Sequence, residues 1–440
     1  MTRRHIFWLW LPLAISFTLM MLEGPIVQAA IARLGDPTLN IAAYSLVISI
    51  ALIIESPVIM LLSTAIALVR TPQSYRALRG FVNMLNVGLT LLTALTAWSP
   101  LYGLIVNDLL GIPASISAAA QPALQIMLFW TAAIGVRRFY QGILVRHGQT
   151  KLVSYGTAIR MSSIAATSVG LALWSGMPGA QVGALALMVG VIAEALVIYL
   201  FARPLVRREY LRAQPIDETE PPLTLGAIAS FHLPLAVTSL LTLAIQPITS
   251  AALARLNQPT ETLAAWPVVF SALLVLRGWG LALQETAIAQ AHERRALRPL
   301  HDFTLIVAVG TTLAAALLTL TPLLDLYLGV VISLEPPLWS YVHSGLLLLI
   351  LLPGLTALTS ELRGLLVAAG TTGSVYRGMG VNLAVNSAVL GLGVALDLAG
   401  IQTAAAGMLL ATGAEYMYLR RRAARLAEQQ VVLALNERAA

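Results

Sequence analysis

The segment LPLAISFTLMMLEGPIVQAAIARLGDPT at 11–38 returns as LPLAVTSLLTLAIQPITSAALARLNQPT at 233–260, a constant 222 residues on. Between Leu11 and Ala67 roughly two-fifths of positions are identical to their partners without a gap. The same spacing pairs Pro100 with Pro322, Gly142 with Gly364, Gly148 with Gly370 and Gly156 with Gly378. Chance does not hold one register over such a length. The chain is a tandem duplication, and whatever one copy folds into, the other must fold into as well.

Each copy is built from apolar runs longer than the roughly 20 residues that cross a bilayer. Across the 440 residues 58% are hydrophobic and only 11% charged, with a mean hydropathy of +0.82. Soluble domains carry about 25% charged residues, so the composition is that of an integral membrane protein. The pattern divides into about twelve helices, near 6–34, 38–69, 80–104, 116–146, 150–174, 179–203, 224–256, 260–291, 301–328, 336–369, 373–397 and 400–420. Six per copy is an even number, so both copies enter the membrane in the same sense and a pseudo-twofold axis along its normal relates them. The expected fold is all-α: two six-helix bundles at 1–203 and 224–440, with a cytoplasmic linker, PLVRREYLRAQPIDETEPPL, at 204–223.

The basic residues fall on one side of this scheme: Arg3, Arg4, Arg70, Arg76, Arg79, Arg146, Lys151, Arg203, Arg207, Arg208, Arg212, Arg294, Arg295, Arg298, Arg420, Arg421, Arg422 and Arg425. The other side has little more than Arg33 and Arg255, among Asp36, Asp108, Glu261, Asp325, Glu335 and Asp397. The positive-inside rule puts both termini in the cytoplasm of a cell-membrane protein. The run after Arg3-Arg4-His5 is too long for a signal peptide and reads as a retained first span. No basic stripe with interleaved aromatics suggests nucleic acid. There are no cysteines, and the six histidines are scattered without metal-ligand spacing, so no metal or cofactor is expected. No Ser/Lys or His/Asp constellation suggests an enzyme.

Several segments together resemble a known family: LEGPIVQAAIARL followed by IAAYSL, YQGILVRHGQT at 140–150, LPLAVTS with QPITSAALAR, RGWG at 277–280 and LRGLLVAAGTT at 362–372. The arrangement is similar to the multidrug/oligosaccharidyl-lipid/polysaccharide (MOP) flippase superfamily, which includes the MATE exporters. Within it the resemblance is greatest to the progressive ankylosis proteins. It implies an alternating-access secondary transporter that exports a small polyanion such as pyrophosphate, a nucleotide or citrate, acting as a monomer in the lipid bilayer with H+ or Na+ as coupling ion. A MATE-like cation or multidrug antiporter and a lipid-linked sugar flippase are the transport alternatives. A non-transporting scaffold or receptor is the alternative of a different class. MATE exporters commonly carry a helix-1 aspartate where this chain has Val27, and Glu23, one turn earlier, looks like the acidic residue of the progressive ankylosis proteins. A major-facilitator transporter would also have two parallel halves, but RTPQSYRALRG lacks that family's Gly-Asp-Arg pattern.

An ionisable group at mid-membrane costs roughly 2.5–3.5 kcal/mol, so each needs a reason. Glu55 and Arg277 are repeat partners of opposite charge near the centres of the second and eighth helices. Either they meet across a cleft between the bundles, as a gate or substrate site, or each is hydrogen-bonded within its own bundle. Arg137 is expected to snorkel to the interface. Arg138, Arg160, Glu361 and Arg363 are expected to form a basic vestibule for an anion, with Glu361 orienting an arginine. Glu194 is expected to pair with Arg160, and Glu285 to sit at the interface. Asn382, the repeat partner of Arg160, and Asn386 form a polar stripe. Pro25 and its partner Pro247 are expected to break both first helices at one depth, whereas Glu23 faces Ile245 in the repeat and belongs to one bundle only. Glu23 and Glu55 are therefore the candidates for ion coupling.

Overall fold

The computed structural model describes residues 3–439 except 22, 32, 110–111, 113, 212–222, 254, 292–296, 332–333 and 335, with no side chain described at 25, 37–38, 109, 247, 259–260, 264, 331 or 427–439. Among the described residues, twelve long helical segments succeed one another. They are α1 (Arg3–Met21 and Glu23–Ile31), α2 (Pro37–Ile59 and Leu61–Leu68), α3 (Pro72–Trp98), α4 (Ala114–Ile126 and Trp130–Arg146), α5 (Thr150–Trp174) and α6 (Gly179–Val206). The second copy supplies α7 (Leu225–Leu253), α8 (Pro259–Gln290), α9 (Leu297–Leu320), α10 (Trp339–Leu348 and Leu352–Ala368), α11 (Thr372–Ala395) and α12 (Gly400–Ala439). Among the described residues, eight single helices and two bent pairs, α4 and α10, have the length and apolarity of a membrane span. A helix bonds its own backbone internally, which is why apolar segments of this length take no other form in a bilayer.

Two differences from the sequence reading bear on the argument. The α3 helix begins at Pro72 rather than 80, because Thr71 and Ser74 form a reciprocal capping box there and Pro72 occupies the first turn. Arg76 and Arg79 thus lie on helix, not loop. Around Pro25 and Pro247, where breaks are expected, the described backbone is helical over Glu23–Ile31 and Leu225–Leu253. A proline deletes one bond of the ladder, and the neighbouring turns keep the segment helical. The side chains of both prolines lie outside the described part. So does most of the 204–223 linker, although its first residues continue α6 and then form a wider turn over Arg207–Leu211.

The duplication is visible in the backbone. The α4 and α10 helices bend by 44° and 43° between repeat-equivalent residues. A Cβ on Gly142 would come within 2.5 Å of Ala65 Cβ and 2.8 Å of the Leu62 carbonyl oxygen. Its partner Gly364 stands in the same relation to Ala287 Cβ, at 2.6 Å, and the Gln284 carbonyl, at 2.5 Å. Both glycines let α4 or α10 press directly onto the backbone of α2 or α8, and any larger residue would push the helices apart. The turns that follow use Gly148 and Gly370 at φ of +72° and +75°, a conformation that favours glycine.

The chain forms two compact units, Thr18–Ala236 and Val237–Ala440 together with Met1–Phe17. Each contains most of one copy, but the leading half of α1 belongs to the unit of the second copy, and the leading half of α7 to that of the first. In the second unit, Leu253, Trp266, Val269, Leu346, Leu352, Ile401 and Ala405 are core residues, drawn from α7, α8, α10 and α12.

Candidate functional site

In the first unit, buried charge is organised around Glu194 on α6, whose residue is 0% exposed. Arg137 Nη1 donates to its Oε2 at 2.7 Å, and Gln141 Nε2 and the Thr157 hydroxyl donate to Oε1 at 3.1 and 3.2 Å. Arg160 Nη1 lies 3.6 Å from Oε2, and Arg160 Nη2 donates to Glu23 Oε1 at 2.6 Å. The Arg160 guanidinium also stands over the Trp130 ring, 5.9 Å from its centre. Trp130 Nε1 in turn donates to Glu55 Oε2 at 2.8 Å. Arg138, the next residue along α4 after Arg137, is half-buried, and its charge acts on both Glu55 and Glu194. Three carboxylates, Glu23, Glu55 and Glu194, therefore sit among three arginines, Arg137, Arg138 and Arg160.

The second unit repeats the design with one exchange. Glu415 on α12 accepts from Arg363 Nε at 2.7 Å and from Asn382 Nδ2 at 2.9 Å. Arg363 is the repeat partner of Gln141, and Asn382 that of Arg160. Each carboxylate thus receives one guanidinium and one amide from these two helix positions, with the two groups swapped between the copies. The packing beneath is shared as well: Gly156 abuts Ile198 and Glu194, and Gly378 abuts Leu419 and Glu415.

Here the likeness ends. Beside Glu415 and Arg363 lies a cavity of about 180 Å³, lined also by Gln246, Arg277, Thr356, Ser360 and Asn386. Arg277 Nε donates to the Thr356 hydroxyl at 3.2 Å. Among the described residues no carboxylate lies within ion-pair distance of Arg277. Asn386 is 2% exposed, and its Nδ2 has no hydrogen-bond acceptor. Two guanidiniums and one carboxylate line this cavity, with a buried amide donor left over.

The alternatives for Glu55 and Arg277 resolve locally: Glu55 is held by Trp130 and Arg277 by Thr356, each within its own unit. Arg137 does not snorkel. It is 1% exposed and is bound to Glu194 more closely than Arg160 is, because a buried guanidinium needs a carboxylate once water is out of reach. Glu361 orients no arginine. It faces α9, where His301 Nδ1 lies 3.1 Å from its Oε2, while Arg363, two residues on, points into the cavity. The basic vestibule expected from Arg138, Arg160, Glu361 and Arg363 is divided between two separate networks. Glu285 is buried rather than interfacial. Trp130, Gln141, Thr157 and Thr356 escaped the sequence reading. Gln141 could have been found by asking what polar residue stands opposite Arg363 in the repeat.

No protein-family signature matches the chain, and no curated protein sequence does. Solved structures do. A MOP superfamily transporter from Pyrococcus furiosus superposes with a TM-score of 0.75 at 15% identity, over 97% of this chain and 96% of that one. A eukaryotic MATE transporter gives 0.76 at 15% identity, over 96% and 95%. The chain has the MATE fold of the MOP superfamily. The Vibrio cholerae MATE transporter VcmN in its bent form is similar too, with a TM-score of 0.73 at 17% identity over 95% and 96% of the two chains. In this MATE-fold chain Val27 is fully buried and apolar, so the leading acidic group on α1 is Glu23, already engaged by Arg160.

Proposed function

We propose that this multi-pass membrane protein is a secondary transporter that exports a small polyanion, such as pyrophosphate, citrate or a nucleotide. The observation that carries the reading is the charge inside the second unit: Arg277 and Arg363 against Glu415 alone, with Asn386 Nδ2 unbonded beside them. A cation-exporting cavity needs the opposite excess. Arginine suits phosphate or carboxylate because its planar fork donates two parallel bonds. The Pyrococcus furiosus relative was itself described as having a binding pocket of reverse polarity that suggests a different function. A MATE fold with an inverted pocket therefore has a parallel. The resemblance to the progressive ankylosis proteins points the same way.

In this reading the first unit serves coupling. Glu23 and Glu55 are the carboxylates available to H+ or Na+, and Glu194 is the fixed counter-charge of Arg137. The distribution of arginines supports cytoplasmic termini under the positive-inside rule, and the reading takes the membrane to be that of the cell. A multidrug antiporter of cations is the second reading, favoured by Glu55, which an indole binds in place of an arginine.

The test is efflux from proteoliposomes. Loaded with labelled pyrophosphate, citrate or ATP, vesicles carrying the protein should lose at least one of these faster than empty vesicles, and Arg277→Gln should abolish the difference. Export of a cationic dye with no anion flux would reverse the assignment.

A further inference from the structure

Away from its polar network, the second unit carries a large apolar groove between α9, α10 and α12. Its volume is about 950 Å³, at the upper end of the roughly 300–1,000 Å³ range of small-molecule sites. Its walls are long side chains, among them Leu305, Leu313, Leu351, Leu410 and Met417, all exposed on the unit's surface. Its floor is made of short ones, Ala308, Gly354 and Gly413. A Cβ on Gly354 would come within 2.8 Å of the Ala308 carbonyl oxygen, so α10 lies directly on α9 there. A Cβ on Gly413 would meet nothing nearer than Leu355 Cδ2, at 3.9 Å, so that position opens on free space. The first copy has Asn86, Ala132 and Ile192 at the equivalent places, the last by the 221-residue spacing that relates Glu194 to Glu415. Each is larger than its counterpart. The depth of the groove is therefore a property of the second copy's sequence.

Length and charge decide what fits. Leu305 to Leu313 on α9 spans roughly 12 Å at 1.5 Å per residue, and Leu351 to Leu358 on α10 slightly less. One leaflet is half of the roughly 30 Å hydrocarbon core, so the groove runs through most of a single leaflet. One end carries charge. Arg420 and Arg421 continue the lining face of α12 one turn past Tyr416 and Met417, and Arg298 continues that of α9, seven residues before Leu305. All three are exposed, and among the described residues no carboxylate lies within ion-pair distance of any of them. Two carboxylates at that end are engaged already, Asp302 by Arg3 and Glu361 by His301. The contact of His301 with Glu361 also shows that α9 and α10 bring the same end of the groove together. Beyond Leu313, α9 runs on to Leu320 without charge.

We infer that this groove binds an anionic phospholipid: one acyl chain lies along α9, α10 and α12, and the headgroup phosphate meets Arg420, Arg421 and Arg298. A lipid tail is as apolar as leucine, so no hydrophobic force drives it in, and the chain is held by packing. An unfilled groove of this size would forfeit those contacts. Selectivity comes from the headgroup, because arginines near a bilayer surface attract anionic lipid and form charge-assisted bonds with phosphate. A second copy packed through the same face, in the same membrane orientation, would set arginine against arginine. The inference goes beyond the transport reading and uses none of the charges that carry it.

The test titrates the full-length, delipidated protein in detergent with phosphatidylglycerol or with phosphatidylcholine of the same chains, counting bound lipid by native mass spectrometry. One phosphatidylglycerol should be held with a preference of at least roughly tenfold over phosphatidylcholine. Arg420→Gln with Arg421→Gln should remove most of that preference, roughly fivefold per arginine, and leave phosphatidylcholine binding unchanged. Gly413→Leu adds bulk where the first copy has Ile192 and replaces a glycine inside a helix, so the fold should tolerate it. Retention of phosphatidylglycerol by this variant should fall by roughly tenfold through lost chain packing. In a second arm, phosphatidylglycerol with a photoreactive diazirine midway along one chain is diluted into phosphatidylcholine nanodiscs holding the protein. Labelling should concentrate within 305–313, 351–358 and 409–417. The label on the parent and the arginine variant decide the matter if Gly413→Leu does not accumulate. Equal affinity for the two lipids, labelling spread evenly over all the helices, or parent-like retention by Gly413→Leu would each overturn the inference. So would a dimer in detergent that Gly413→Leu turns to monomer with no change in lipid count, which would assign the groove to a second copy.

Discussion

Glu194 and Glu415 sit at nearly equivalent points of two copies of one fold, one residue off the repeat spacing, yet their surroundings differ. Around Glu194 the first copy gathers two arginines, and the surrounding six charges are matched one for one. Around Glu415 the second copy has Thr359 and Asn382 at the places of those arginines, Arg363 where the first copy has Gln141, and Arg277 with a hydroxyl for a partner. Duplication supplied the carboxylate and the helix geometry twice. Divergence at repeat pairs that include 55 with 277, 137 with 359, 141 with 363 and 160 with 382 changed which unit is electrically complete. A complete network resists change, whereas an incomplete one can accept a charged ligand.

The sharpest way to break this comparison is to remove the carboxylates. Glu194→Ala leaves Arg137 buried without its counter-charge and Arg160 with Glu23 alone, and losing one partner of a buried pair costs about 3–5 kcal/mol. Thermal unfolding in detergent should show a large loss of stability, or the variant should fail to accumulate folded. Glu415→Gln should cost about 2 kcal/mol, the order of a charged hydrogen bond, because Arg363 is less deeply enclosed than Arg137 and borders the cavity. The same variant should bind pyrophosphate or citrate more tightly, since it removes the cavity's one negative charge. Equal destabilisation by both substitutions, with no change in anion binding, would erase the distinction between the units.

Much of this architecture was legible before any coordinates. The repeat and the apolar runs gave twelve helices in two copies, because bilayer thickness and internal hydrogen bonding leave few options for such segments. The α5 limits, 150–174, were read correctly at both ends. The candidate site was less legible, since burial and pairing depend on which face of each helix turns inward. Arg137 and Arg138 are adjacent in sequence, but Arg137 is enclosed against Glu194 while Arg138 is only half-buried. Glu361 and Arg363 likewise turn to opposite sides of α10. The depth of a charge along a helix could be counted from the sequence, but its direction around the helix could not. The contact of Trp10 with the Trp279 carbonyl and that of His232 with the Pro57 carbonyl were invisible for another reason: repeat comparison rewards identity, and Trp10 aligned with His232 looks like a mismatch until the ring N–H is seen.

A middle-sized effect sharpens the role of Arg277. Its described bond is one contact with a neutral hydroxyl, so Arg277→Gln should change stability by less than about 1 kcal/mol. Anion affinity should fall on the order of tenfold, equivalent to about 1.4 kcal/mol. Isothermal titration with pyrophosphate and with citrate measures this, and Arg137→Gln supplies the contrast: a large stability loss through stranded Glu194, with no selective effect on anions in whatever protein remains folded. The two arginines are then separated by the kind of quantity each one moves.

The smallest effect concerns Asn386, and its two readouts should diverge. A buried amide N–H with no acceptor contributes a desolvation penalty, about 1–3 kcal/mol when wholly unmet. Asn386→Leu keeps similar bulk and removes that donor, so stability should stay within about 1 kcal/mol of the parent or rise slightly. If the donor is held for an acceptor on the cargo, anion affinity should nevertheless drop by several-fold. Asn382→Leu should do the reverse, since Asn382 is already bonded to Glu415: it should lose stability directly and alter binding only through the freed carboxylate. Two asparagines one helical turn apart would then separate the part of the network that builds the second unit from the part left open to a ligand.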